Sequence, residues 1–166
     1  MLTKKRSEVV PWLGFFRRDF LTKANLHFPQ GVSYTEDQLF LLESLLTDGC
    51  VAFDVNDCFY GYRVRENSAT TRCYSKKKID DIIDMTIREI KYESLSKYAV
   101  TFASTTLSQI FPFYYVATNS EKKYIRQAIK RIPMRKMIIN AYSFKLRIKF
   151  IFLLLFPFLL GRKKTV

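Results

Sequence analysis

Isoleucines at positions 79, 82, 83, 87 and 90 recur at the three- and four-residue spacing that puts side chains on one face of an α-helix. Ser75 stands where an N-terminal cap belongs, Lys76-Lys77-Lys78 follow, and the helical pattern runs to about Ser94. A stripe that apolar has to be covered by other elements, so the chain must build a layer against it. With 166 residues, 48% of them hydrophobic, it has enough material for one domain with a core. That composition excludes a disordered chain. Fifteen Phe and ten Tyr, with Trp12 the one tryptophan, serve mainly as core filling, and some can line a sugar or peptide groove.

In chain order, residues 1–8 read as a solvated basic lead-in. Val9 to Phe16, interrupted by Pro11 and Gly14, reads as a short strand or buried loop. The segment from Phe16 begins a short helix ending near Asn25, and Leu26-His27-Phe28-Pro29 is extended, as a residue before proline prefers. Val51-Ala52-Phe53-Asp54-Val55 and Phe59-Tyr60-Gly61-Tyr62-Arg63-Val64-Arg65 read as short strands, and Glu66 to Thr70 as a polar loop. Residues 95–117 form another helix that Pro112 kinks or ends. Asn119 or Ser120 opens a basic helix that stops before Pro133, and a further helical stretch covers 134–147.

The formal charge of +13 is unevenly placed. Residues 1–120 hold 15 Lys and Arg against 14 Asp and Glu, whereas residues 121–166 hold 13 against Glu121 alone. Such a tail implies a polyanionic partner, an anionic membrane surface or nucleic acid. No nucleic-acid-binding motif accompanies the charge, and the basic residues adjoin an apolar run, which ranks nucleic acid last as a partner. The three cysteines, Cys50, Cys58 and Cys73, are odd in number and form no C-x-x-C, and His27 makes no ligand cluster with them. They read as small apolar fillers in a reducing compartment, with no disulfide framework and no metal site. The basic N-terminus has no apolar run behind it that would make a signal peptide.

Glu36-Asp37 opens an apolar run in which residues 39, 40, 42, 45 and 46 suit one helix face. Ser33 with Glu36 three residues on reads as a capping box, and Gly49 as the residue capping the end of the helix near Thr47. Asp37 then lies in the first turn, where unpaired N–H groups and the helix dipole favour a carboxylate that stays ionised. Such a group can accept a proton from a substrate hydroxyl. The pair also reads as ordinary first-turn acids. In the segment Tyr60 to Thr70, Arg63 and Arg65 on alternate strand positions face opposite sides, so at least one can point into a cleft and hold phosphate. The same pair equally suits an edge strand with solvated arginines.

Phe16-Arg17-Arg18-Asp19-Phe20-Leu21, Phe28-Pro29-Gln30-Gly31, Glu36-Asp37-Gln38-Leu39-Phe40 and Tyr60-Gly61-Tyr62-Arg63-Val64-Arg65-Glu66-Asn67-Ser68 occur in that order. Over about residues 9–95 this set resembles the C-terminal, acceptor-side half of bacterial family 2 glycosyltransferases, the GT-A-fold enzymes of capsule, lipopolysaccharide and exopolysaccharide assembly. The resemblance implies an α/β fold class, an incomplete GT-A-like half with a catalytic helix and a few short strands, followed by a mainly α-helical C-terminal extension. It implies an inverting transferase that moves a sugar from a nucleotide-sugar donor to a glycan or polyprenyl-linked acceptor. Asp37 would be the catalytic base. Arg63 or Arg65 would contact the donor diphosphate, with Glu36 and Tyr62 beside them as substrate-binding residues.

The family's nucleotide-sugar half, which ends in an Asp-x-Asp motif holding Mg²⁺ or Mn²⁺, has no counterpart before residue 9. Asp54-Val55-Asn56-Asp57 follows the catalytic helix instead of preceding it. The expectation is therefore a truncated or split enzyme with no cofactor of its own. Mg²⁺ or Mn²⁺ would enter only where a separate chain supplies the donor half. The alternative is a non-enzymatic membrane-surface remnant or adaptor. The apolar run Phe150 to Leu160 has Lys145, Arg147 and Lys149 before it and Arg162-Lys163-Lys164 after it. A spanning helix needs ~20 apolar residues, so this run suits a segment lying in the membrane interface among anionic head groups. The expected organisation is a partial transferase domain over 1–95, a helical extension over 96–147 and a basic-apolar tail over 148–166. Its expected location is peripheral, on the cytoplasmic face of the bacterial cell membrane.

Overall fold

A computed structural model describes Pro11 and residues 14–50, 75–96 and 98–155. Among the described residues eight α-helices follow one another: α1 (Arg18–Lys23), α2 (Glu36–Leu46), α3 (Lys76–Ile90), α4 (Ala99–Ser108), α5 (Ile110–Val116), α6 (Asn119–Ile129), α7 (Met134–Ile139) and α8 (Phe144–Leu155). A 3-10 turn, Lys91–Ser94, extends α3.

Helix α3 is the axis of the arrangement, and it packs on α2, α4 and α6. Ile79, Ile82, Ile83 and Met85 are fully buried, while Ile87 and Ile90 are half-buried at the edge of the same core. Its closest partner is α4, where Ala99, Ala103, Ser104 and Thr106 are fully buried. Side chains that small let the two backbones approach. Helices α4 and α5 are separated by Gln109 alone, whose φ of −64° and ψ of −10° nearly continue the helix. Pro112 lies inside the first turn of α5, where a missing N–H costs little.

The basic helix α6 begins at a capping box. Glu121 N–H donates to Thr118 Oγ1 at 3.4 Å, and Thr118 N–H donates to Glu121 Oε2 at 2.7 Å. Ile125, Ala128 and Ile129 face the core. Tyr124 donates to Asp80 at 2.7 Å and Arg131 to Asp84 at 2.8 Å, which ties α6 to the acidic side of α3. Helix α8 buries Leu146, Phe150 and Leu153, with the Phe150 ring 5.6 Å from that of Phe111. One hydrophobic core therefore runs from Ile79 to Leu153. A smaller cluster, Leu42, Ala99 and Phe102 with Tyr92 and leucines of α2, fastens α2 to α4.

The α/β class expected for residues 1–95 is not what forms: the described residues make an all-helical fold with no strand. The physical reason is how α2 is covered. Its apolar side chains meet α3, α4 and the rings of Phe16 and Phe28, and no sheet is needed to bury them. The segments read as strands, 51–55 and 59–65, lie outside the described residues.

Phe150→Ala should lower stability by about 3–5 kcal/mol through the cavity it leaves, a fall in Tm on the order of 10 °C for a chain this long. Phe144→Ala, at a position 76% exposed, should change stability by less than about 0.5 kcal/mol. Thermal melts of the two variants check the assignment of the α8 faces.

Candidate functional site around Asp37 and Glu89

Residues 31–35 deliver the chain to the start of α2, and Asp81 on α3 holds them in place. Its Oδ2 accepts from Ser33 N–H at 3.2 Å and from Ser33 Oγ at 3.3 Å. Lys77 Nζ reaches Asp81 Oδ1 at 3.1 Å and the Gly31 carbonyl at 2.9 Å, so one ammonium bridges loop and helix. Gly31 has φ +76°, which glycine adopts without strain. Tyr34 sits with its ring 5.6 Å from Phe113 and with Lys78 Nζ 5.2 Å from its centroid.

The capping box expected of Ser33 and Glu36 is not formed. The residue at the cap position is Thr35, with φ +65°, and its side chain makes no capping bond; its Oγ1 instead donates to the Tyr34 carbonyl at 2.6 Å. Ser33 is taken by Asp81. A β-branched residue in the left-handed region is strained, and strain of this kind collects where a side chain must be aimed. Here it immediately precedes Glu36 and Asp37, the two acids of the first turn of α2.

Both acids are half-buried. The Asp37 carboxyl is held above the ordinary carboxylate range, chiefly by burial and then by the neighbouring Glu36; the N–H groups of Gln38 and Asp37 pull the other way and lose. This reverses the expected balance. The helix mouth does favour the ionised form, but desolvation outweighs it. A base gains from that direction, since proton transfer is most efficient when the base's pKa approaches the working pH.

A second carboxylate completes the site. Glu89 of α3 is fully buried, and its Oε1 accepts from Thr106 Oγ1 of α4 at 2.9 Å; its Oε2 has no hydrogen-bond partner among the described residues. Burial first, and the charge of Asp37 in addition, push its pKa up to about 8 against the pull of the Thr106 bond. Burial therefore favours the neutral form of Glu89, and its carboxyl feels the charge of Asp37. Asp37 also raises the phenol of Tyr34, after burial. The candidate site is thus a strained turn, a half-buried carboxyl on α2 and a fully buried one on α3 that is bonded to α4.

An aromatic group adjoins it. Phe40, three residues after Asp37 and so on the same side of α2, is buried and stacks on Phe28 at 4.3 Å, with Phe16 edge-on at 5.3 Å. Phe28 keeps 46% of its surface exposed. Tyr62, Arg63 and Arg65 lie outside the described residues. Among the described residues no three His, Cys, Asp or Glu side chains group as a metal-binding cluster. Comparison with protein-family models, curated proteins and solved structures finds no match.

Glu89 carried a signal in the sequence that the motif-led reading passed over. It lies seven residues after Ile82, in register with the buried stripe, and a carboxylate there has to be accommodated by its surroundings. Asp81 and Thr35 carried no comparable signal, because their roles depend on a loop packing back across forty-eight residues.

Two outcomes follow. Asp81→Ala removes the acceptor for Ser33 and Lys77 and should cost about 2 kcal/mol in urea unfolding, with faster amide exchange at residues 33–35 and unchanged exchange in α8. Glu89 has a folded-state pKa above its unfolded one, so the stability it contributes is complete below about 4.5 and is lost as pH rises to about 8. Asp37 adds loss in the same direction. Glu89→Gln keeps an acceptor for Thr106 and cannot ionise. Its Tm should match the wild type near pH 5 and exceed it increasingly toward pH 9.

Proposed function

We propose that this chain provides the acceptor side of an inverting sugar transferase of family 2 type, with Asp37 as its base. Asp37 takes the proton of an acceptor hydroxyl as that oxygen attacks the anomeric carbon of a nucleotide-activated sugar. The new C–O bond forms as the glycosyl–phosphate bond breaks, and the electron pair leaves with the nucleoside diphosphate. The observation that supports this most is Asp37 itself: a half-buried first-turn carboxylate, placed by a strained residue and an inter-helix tie, with its pKa raised. Glu36 keeps that pKa up. The outer face of Phe28, backed by Phe40, suits the apolar face of an acceptor sugar ring. Arg63 or Arg65 takes the donor diphosphate, with Tyr62 in the same segment. On this reading the nucleotide-sugar side and its Mg²⁺ or Mn²⁺ are supplied outside these 166 residues, and the acceptor is a glycan or lipid-linked sugar of surface polysaccharide assembly.

The test is nucleoside diphosphate release from UDP-sugars with polyprenyl-linked acceptors, with the donor side supplied by the neighbouring reading frame. Asp37→Asn should reduce turnover by about 100-fold or more without lowering Tm, since a desolvated charge is removed. Turnover indifferent to Asp37→Asn would discard this role and leave the non-enzymatic membrane-surface reading. Robust turnover by the chain alone would refute the external donor side.

A further inference from the structure

Helix α8 is apolar on two opposite sides. Leu146, Phe150 and Leu153 point into the core. Phe144, Ile148, Ile151 and Leu155, at i, i+4, i+7 and i+11, form a second stripe on the side away from it, exposed by 76%, 37%, 37% and 59%. Ile139 at the end of α7 and Tyr142 in the α7–α8 turn extend the same exposed apolar character, at 55% and 61%. Lys145 and Arg147 lie on the two flanks between the stripes, and Arg147 donates to the Ile139 carbonyl at 2.9 Å, which fastens the turn to the helix. Not one Asp or Glu occurs from residue 122 to the end of the sequence.

We propose that this outward side of α8, with the α7–α8 turn, docks on an anionic lipid bilayer surface. The charge pattern selects that occupant. Phosphate head groups complement Lys145 and Arg147 while the stripe enters the acyl boundary. A second copy of the chain would bring like charges together along both flanks, and a nucleic-acid backbone would leave the apolar centre uncovered. The helix lies in the surface, since no helix among the described residues is long and apolar enough to cross a membrane. The bilayer-facing side thereby begins at Ile139, ahead of the terminal apolar run, and Phe150 and Leu153 of that run are already spent on the core. This proposal stands independently of the role of Asp37.

The experiment is co-sedimentation of the full chain with sucrose-loaded vesicles of phosphatidylcholine alone or with 30% phosphatidylglycerol, an arbitrary working fraction of about one anionic lipid in three. The wild type should pellet with the anionic vesicles and release at about 1 M salt. Phe144→Ser/Ile151→Ser should weaken binding at least tenfold, roughly what two apolar side chains contribute, and Lys145→Glu should weaken it severalfold. Leu95→Ser, at another exposed apolar position, should bind as the wild type does. Unchanged binding by the double variant, or equal binding to neutral vesicles, would overturn the proposal. So would dimerisation in light scattering that the double variant abolishes, which would give the stripe to a second copy.

Discussion

The covering of α3 on three sides is the constraint on which the rest depends. Its isoleucine side packs on α4, its acidic side engages α6 and the loop before α2, and Glu89 needs Thr106. These demands are not separable. The same rotation of α3 that buries Ile79, Ile82 and Ile83 presents Asp81 to Ser33 and Asp80 to Tyr124, because Ile79 to Ile83 spans little more than one helical turn. Packing that serves stability therefore also fixes the position of Glu36 and Asp37, although no residue of α3 touches them covalently or shares their helix.

Around Asp37 the larger effect is desolvation. A helix N-terminus offers a carboxylate roughly 0.3–1 kcal/mol at an exposed site, whereas burial of an ionised group costs several times that. Asp37 is buried enough for the second effect to win, and Glu89, fully buried, shows it in its extreme form. The two acids differ in what their surroundings ask of them. Burial raises the pKa of both, modestly for the half-buried Asp37 and far enough in the fully buried Glu89 to favour its neutral form. Environments that separate the pKa values of neighbouring acids are the usual arrangement at sites of proton transfer.

Helices α3 and α6 were legible because their signals are local: the isoleucine period, the polar opening of α6 and Pro133. By contrast, the single helix read over 95–117 divides at Gln109, and the stretch read over 134–147 divides at residues 140–143, with α8 continuing to Leu155. Helix α6 opens at Asn119 as read, and the side chain that caps it is Thr118, paired with Glu121. The helix opened by Glu36 was legible too, but its cap was not. Ser33 and Glu36 have the spacing of a capping box, and spacing cannot report that Asp81, distant in sequence, competes for the same serine. The α/β class was drawn from family resemblance and from β-rich short segments outside the described residues, and the order of motifs does not itself specify which elements cover α2. Within the candidate site, Asp37 was nominated by its motif, whereas Glu89 and Thr106 were nominated by burial.

The C-terminal helix shows why composition alone misassigns an apolar run. From Phe144 to Leu155 only Lys145, Arg147 and Lys149 are charged, and read as a string the segment looks uniformly apolar with basic punctuation. Wound into a helix, the same residues separate into a core side and an outer side, with Lys149 reaching over the rings of Phe111 and Tyr115 at 5.3 and 5.9 Å. That cation helps to seat the helix, because a lysine stem covers aromatic surface while its ammonium stays near water. The basic residues of one short helix thus divide between two tasks. The number of charges, which first suggested a polyanionic partner, overstates how many are free to meet it.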